Sequence, residues 1–203
     1  LTVGEQPATK GYTPSVFAML TRLLERAGTI DGQGSITGLY TVLVEGDDLT
    51  EPVSDACRGI LDGHVALSRR LASRGHFPSV DLLESISRVA NDVTEPAQQQ
   101  ARRTLLRLIA AYAEAEELIS IGAYAAGSNP DCDAAIEMKP MLDDYLQQAV
   151  EDKTDYPHCC RRLVELGLQA EERVKAIRAQ RPMMNAGPAA SAGHAGATGG
   201  YTG

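Results

Sequence analysis

The sequence has 203 residues, of which 43% are hydrophobic and 23% are charged, so it can form one or two domains with a substantial core. Its net charge of −8 is spread over both halves, which excludes the concentrated basic surface that nucleic-acid binding requires. No run of about 18 apolar residues and no N-terminal signal pattern is present, so the sequence predicts no membrane span. The four cysteines form no CxxC pair, and adjacent Cys159 and Cys160 indicate two helix positions in a reduced, cytosolic protein rather than a metal site.

The first part of the chain alternates between short helical and strand patterns. Thr13-Pro14 predicts the start of a helix that ends near Gly28. Residues 35–44 are rich in β-branched side chains and predict a buried strand. Three further elements follow at short spacing, namely a helix at 53–61, a strand at 64–67 and a helix at 68–75. Strand, helix and strand in this order are typical of a parallel α/β sheet.

The pattern becomes helical after residue 93. Apolar residues recur at i, i+3, i+4 and i+7 over residues 95–124, which predicts one long amphipathic helix. A second helix is predicted over 131–150, where Pro140 should kink or split it. Pro157 opens a third helix. Three helices joined by short loops predict a small antiparallel helical domain.

One stretch, HFPSVDLLESISRVAND at residues 76–92, combines an aromatic and an arginine eleven residues apart. Between Phe77 and Arg88 lie a turn at Pro78 and a short apolar run at residues 80–86 that is predicted to be helix-like. Taken alone, the stretch indicates a core aromatic and a solvated or paired arginine.

Four segments together carry a resemblance to a known family. They are GSIT at 34–37, EGDDLTEP at 45–52, LDGHVALSR at 61–69 and HFPSVD at 76–81. In this order they resemble the catalytic ATPases of type III protein export, most closely the flagellum-specific ATPase, which are related to the catalytic subunits of rotary ATP synthases. The resemblance implies hexameric rings that hold ATP with Mg²⁺ between subunits.

The resemblance also implies how the chain is organised. Residues 1–93 would be the C-terminal part of a RecA-like nucleotide-binding core, and residues 94–180 the helical domain. Residues 181–203 are rich in glycine and alanine and predict a disordered tail. The sequence contains no GxxxxGK[ST] phosphate loop, and the family's metal-binding aspartate also lies outside it. We therefore interpret the chain as the C-terminal piece of a longer ATPase and expect it to be inactive alone.

The site residues follow from the same resemblance. Arg88 matches the arginine finger, whose planar guanidinium reaches the γ-phosphate held by the neighbouring subunit. Phe77 stands where the family usually carries a tyrosine that stacks on adenine, and it keeps the π-face. By a looser count, Tyr156 would complete the adenine pocket, with simple packing as the alternative. Two acidic groups imply contacts with a stalk-like coiled-coil partner, with plain solvation as the alternative: Asp47, Asp48 and Glu51, and Glu114, Glu116 and Glu117.

The implied partners are a homo-hexamer, the stalk-like protein, export substrates with their chaperones, and the export gate at the membrane. The implied location is the cytoplasm, peripherally at the inner-membrane export apparatus. Two alternatives remain open at this point. One is the same enzyme in a virulence-type secretion apparatus, and the other is a non-catalytic ring or scaffold subunit that binds nucleotide without turnover.

Overall fold

The computed structural model describes residues 11–44, 46 and 48–180. Asp47 and the tail at 181–203 therefore lie outside the described residues. The first part of the described chain mixes short helices and strands. In chain order these are α1 Pro14–Leu24, β1 Gly28–Ile30, β2 Gly34–Ile36, α2 Pro52–Ile60, β3 Gly63–Leu67, α3 Arg69–Ser73, β4 Val80–Ser87 and α4 Ala90–Val93.

The strands of this first part form two separate antiparallel pairs. In the first pair, Thr29 of β1 lies opposite Ser35 of β2. In the second, His64 of β3 lies opposite Ile86 of β4. No parallel pairing occurs among the described residues, which differs from the sequence prediction. The chain reverses between β3 and β4 through α3 and Gly75, which has a left-handed φ of 75° that favours glycine.

The predicted buried strand over residues 35–44 is wrong for most of its length. Only its first residues belong to β2, and residues 37–44 have no regular structure. Leu39 and Leu43 are 98% and 91% exposed. A β-branched sequence becomes a strand by hydrogen bonding to a neighbour and by packing one face, and the described chain supplies neither here.

The apolar run between Phe77 and Arg88 is a strand, not the predicted helix-like segment. Residues 80–87 form β4, which pairs with β3 at both of its ends, through Val80 and Asp81 and through Ile86 and Ser87, with a break in register between them. A short apolar run fits a helix or a strand equally well, because its periodicity covers too few residues to separate the two. The partner strand decides the outcome.

The second part is a three-helix domain, as predicted. Its helices are α5 Pro96–Ser120, α6 Pro130–Leu146 and α7 Tyr156–Gln180. Gln98 accepts from the backbone N–H of Glu95 at 2.9 Å before α5, and Asn129 accepts from Asp131 N–H at 3.0 Å before α6. These bonds satisfy backbone groups that the first turns leave without helical partners.

The main core of the described chain lies between these three helices. It contains large apolar residues from each helix, including Leu108, Met138, Leu142, Leu166 and Val174. Within the described residues, no helix is long and apolar enough to span a membrane.

Pro140 does not split α6, contrary to one of the two predicted outcomes. The helix runs as one element through the proline, although proline lacks the N–H that would continue the hydrogen-bond ladder. Met138 and Leu142 on either side are only 2% and 3% exposed, so their packing holds the helix on the core. The helix ends at Leu146 rather than near residue 150, because the next residues turn toward the first part of the chain.

Candidate functional site

Arg88 follows β4 and lies beside the C-terminal end of α2. Its backbone N–H donates to the carbonyl of Asp62 at 2.8 Å. Its guanidinium donates to the carbonyls of Arg58 at 3.0 Å and Gly59 at 3.4 Å. These carbonyls belong to the last turn of α2, which has no helical donors for them. Arg88 thus caps this helix, with the positive charge at the negative end of the helix dipole.

The charge of Arg88 has no carboxylate partner among the described residues. The described chain therefore does not show Arg88 in a structural ion pair. Arg88 is exposed, and the hydrogen bonds of its guanidinium go to neutral carbonyl oxygens. Such a group can donate to an anion that approaches from outside, because its charge is not already neutralised.

Phe77 lies at the opposite end of β4 from Arg88, in the turn between α3 and the strand. Its side chain is 56% exposed, and it pairs with no other aromatic ring in the described part of the chain. Its carbonyl accepts from the backbone N–H of Gln148 at 2.9 Å. The loop after α6 therefore holds the backbone of this turn, while more than half of the surface of Phe77 stays exposed.

Phe77 and Arg88 lie beyond opposite ends of β4, and no described hydrogen bond or ring contact joins them. Val80 and Ser87 at the ends of β4 lie opposite Leu67 and Gly63, which are four residues apart on β3, so the paired ends of β4 are about 13 Å apart. Tyr156 begins α7 and is 68% exposed. A hydrogen bond with Cys160 raises the pKa of the Tyr156 phenol. The rings of Phe77 and Tyr156 do not form an aromatic pair, although the loop that contacts Phe77 leads to Tyr156.

The acidic loop before α2 has a defined backbone. Asp48 accepts from the N–H of Thr50 at 3.0 Å and from its hydroxyl, and its own carbonyl accepts from Glu51 N–H at 3.0 Å. Glu51 precedes the helix, and its carbonyl accepts from Asp55 N–H at 2.8 Å. Negative charge at this position is favourable because the N-terminus of a helix carries partial positive charge.

The three glutamates near the end of α5 differ in their surroundings. Glu114 and Glu117 are exposed, whereas Glu116 accepts from Arg74 and, at 2.8 Å, from Arg70. Hydrogen bonds from Arg74, and the charges of both arginines, hold the pKa of Glu116 below its ordinary value. This carboxylate ties α3 and the residue that follows it to the helical domain. Sequence patterns did not reveal the contact, because Arg70 lies on a five-residue helix that is too short to show periodicity and Arg74 comes just after that helix.

The Glu116 attachment should depend on pH. Because the folded pKa lies below the ordinary value of 4.5, the attachment stabilises the fold above that pH, and this contribution is lost as the pH falls through the folded pKa. We expect Glu116→Gln to lower the free energy of unfolding at neutral pH by about 1 kcal/mol or less, since the arginines are more than half exposed. The deficit should shrink on acidification, which denaturant titrations at several pH values would measure.

Glu117→Gln is the matched control, because it removes one exposed glutamate from the next position of the same helix. It should follow the wild type over the same pH range. Equal pH profiles for the Glu116 and Glu117 variants would contradict the attachment.

Comparisons with known proteins identify the two parts separately. Residues 1–87 match the ATP synthase alpha/beta family, nucleotide-binding domain. Residues 94–165 match the T3SS EscN ATPase C-terminal domain. The two matches define the class as an α/β, RecA-like nucleotide-binding core followed by an all-α domain, which confirms the predicted fold class. The chain belongs to the family of flagellum-specific and type III secretion ATPases.

Individual relatives agree with this family. The flagellum-specific ATP synthase of Treponema pallidum is 50% identical over 156 residues, which cover 77% of this chain and 35% of that protein. The type 3 secretion system ATPase of Pseudomonas syringae pv. syringae is 42% identical over 169 residues, covering 83% of this chain and 37% of that protein. The solved structure of the assembled ATPase EscN from the enteropathogenic E. coli type III secretion system has a TM-score of 0.76 at 40% identity, covering 81% of this chain and 40% of that chain. The present chain thus spans about a third of the length of the curated relatives it matches.

Proposed function

We propose that this chain is part of an ATPase that works as a homo-hexameric ring and powers type III protein export, in its flagellar form. The observation that carries the proposal is Arg88, an exposed guanidinium held only by neutral carbonyls at the end of β4. The names of the relatives support the reaction class, since they are flagellum-specific ATP synthases and type 3 secretion system ATPases.

Phe77 and Arg88 would serve two different ATP sites, an assignment in keeping with their positions beyond opposite ends of β4. Phe77 would stack on the adenine of the ATP in its own subunit. Arg88 would reach the γ-phosphate of the ATP in the neighbouring subunit. Each subunit then contributes to two sites, and a ring is the arrangement that completes all of them.

The chemistry assigned to Arg88 is charge stabilisation during phosphoryl transfer. The transferring group spreads negative charge over its equatorial oxygens, and a planar guanidinium donates to two of them without losing its own charge. Bound Mg²⁺ would neutralise phosphate charge at the same time. Two exposed residues of this chain suit the two ends of a nucleotide. The aromatic side chain of Phe77 suits the adenine end, and the cation of Arg88 suits the phosphate end. The phosphate loop and the metal ligands would come from outside the present sequence, so the isolated chain should not turn over ATP.

Tyr156 would supply a second aromatic surface of the adenine pocket. The support for this role is its exposure at the start of α7 and the loop that connects it to the backbone of Phe77.

The acidic groups would contact a stalk-like coiled-coil protein. The solved relative EscN has been determined in complex with its central stalk EscO. In this chain, Asp48 and Glu51 form an ordered acidic loop, to which Asp47 would add a further charge. Glu114 and Glu117 would form a second acidic surface at the end of α5.

The remaining partners follow from the same function. Export substrates, their chaperones and a membrane export gate would interact with the assembled ring, which would lie in the cytoplasm and bind peripherally to the inner membrane. A flagellar role is favoured over a virulence-type role because six flagellum-specific relatives are 45–50% identical, against 42% and 46% for two type 3 secretion system ATPases.

The nucleotide part of the proposal is tested at Phe77. In the ring-forming protein that carries this chain, Phe77→Ala should raise KM for ATP on the order of 10- to 100-fold, because base–aromatic stacking contributes about 1–3 kcal/mol. The maximal rate should change much less, since the ring does not touch the reacting phosphate. Steady-state kinetics over a range of ATP concentrations would measure both constants.

Phe77→Tyr is the matched control, because it keeps the π-face and adds only a hydroxyl. It should leave KM near the wild-type value. An unchanged KM in Phe77→Ala would contradict adenine stacking, and a ring that binds ATP without turnover would favour the non-catalytic alternative.

A further inference from the structure

Helix α2 connects two parts of the candidate site. Its N-terminus follows the acidic loop at residues 48–51, and its C-terminal carbonyls hold the guanidinium of Arg88. A nine-residue helix is about 13 Å long and moves as a rigid unit on this scale. A displacement at one end is therefore transmitted to the other.

One residue of this helix contacts both ends. The guanidinium of Arg58 donates through Nη1 to the carbonyl of Leu49 at 3.3 Å, inside the acidic loop. The carbonyl of Arg58 accepts from Nη2 of Arg88 at 3.0 Å. Arg58 thus joins the loop to Arg88 through its own side chain and its own backbone.

The surroundings of the Arg58 side chain are unusual for a purely structural arginine. The residue is half-buried, and its Nε is buried without a hydrogen-bond partner in the described part of the chain. No carboxylate pairs with it there, so one loop carbonyl is its described hydrogen-bond acceptor. A partly desolvated charge with so few partners contributes little to stability and is better explained by a role in positioning.

We infer that Arg58 is a positioning residue that couples the acidic loop to Arg88, an inference that rests on the proposed function of Arg88 as an arginine finger. The Nη atoms of Arg88 that bind the α2 carbonyls are the same atoms that would donate to phosphoryl oxygens. Arg88 therefore exchanges one set of acceptors for the other. When a stalk-like protein contacts the acidic loop, the Leu49 carbonyl and Arg58 move together. This movement shifts the last turn of α2, whose carbonyls set how far the Arg88 guanidinium extends toward the phosphate of the neighbouring subunit.

The test uses the ring-forming protein that carries this chain. Arg58→Met removes the donors but keeps an unbranched apolar side chain, and Arg58→Gln keeps an N–H donor on a shorter, uncharged side chain. Both should lower kcat about 10- to 100-fold, the cost of misplacing a catalytic group by about 1 Å. KM for ATP should stay within about 2-fold, because neither variant touches the adenine side. Arg58→Lys, which retains a donor able to reach the loop, should recover most of kcat.

Two further variants separate the possible outcomes. Arg103→Met removes an exposed arginine from α5 and should leave kcat and KM unchanged. Adding Arg58→Met to Arg88→Ala should cause little loss of kcat beyond that of Arg88→Ala alone, because both changes act through one guanidinium.

Two results would overturn the inference. One is a double variant whose loss of kcat is the product of the two single losses. The other is wild-type kcat in an Arg58→Met or Arg58→Gln ring that assembles. If Arg88→Ala itself keeps full activity, the proposed function fails. If Arg88→Ala is inactive and the Arg58 variants are not, only the Arg58 inference fails.

Discussion

Arg88→Ala in the assembled ring should lower kcat for ATP hydrolysis by about 10³- to 10⁵-fold, the range measured for arginine fingers in phosphoryl transfer. The affinity for ATP should change much less, since the guanidinium acts on charge that develops in the transition state. Arg88→Lys should recover little, because an ammonium is a point charge and does not bridge two phosphoryl oxygens. Steady-state kinetics on the purified ring would measure these effects.

A purely structural Arg88 predicts a different result. As a cap of α2, it contributes about 0.5–1.5 kcal/mol through hydrogen bonds to two carbonyls. Arg88→Ala would then lower the melting temperature or ring assembly, and kcat would fall only in proportion to the lost rings. Melting curves and assembly measured on the same samples separate the two roles.

Gly167→Ala should destabilise the helical domain, although alanine normally favours a helix. A Cβ atom at Gly167 of α7 would lie 2.5 Å from Cβ and 2.6 Å from Cα of Ala101 on α5. Relief requires the two helix backbones to separate, because the opposing Cα does not move alone. Overpacking of this kind costs about 1–3 kcal/mol, which corresponds to a loss of roughly 2–12 °C in melting temperature for a chain of this size. Thermal and denaturant unfolding would measure the loss.

Gly59→Ala is the matched control, because Gly59 is also helical and nothing lies within 4 Å of the Cβ it would gain. This change should be neutral or stabilising by up to about 1 kcal/mol. Adding Ala101→Gly to Gly167→Ala should restore part of the lost stability by removing the opposing methyl group. Equal stability of Gly167→Ala and the wild type would contradict the close approach of α5 and α7.

The helices could be predicted from the sequence because each carries its own evidence. The apolar repeat at residues 105, 108, 112 and 115 marks one face of α5 within a single segment. The same reasoning failed for residues 37–44, since a strand depends on a partner elsewhere. For residues 80–87 the partner is present, and β3 turns an ambiguous apolar run into β4.

The candidate site could be predicted only in part. Phe77 and Arg88 were assigned from sequence motifs, and the structure adds that they lie beyond opposite ends of β4. Arg58 could not be found in this way, because half of its role comes from a backbone carbonyl, which has no sequence signature. The engagement of Glu116 by Arg70 and Arg74 joins positions more than 40 residues apart, beyond any local pattern.

The most direct test of an arginine that acts across a subunit boundary is a mixing experiment. Arg88→Ala subunits would be mixed with subunits whose phosphate loop, outside the present sequence, has been inactivated. Each preparation should be inactive alone. In mixed rings, some interfaces pair an intact phosphate loop with an intact Arg88, so part of the ATPase activity should return. If mixed rings assemble and remain as inactive as their parents, Arg88 does not complete the site of a neighbouring subunit.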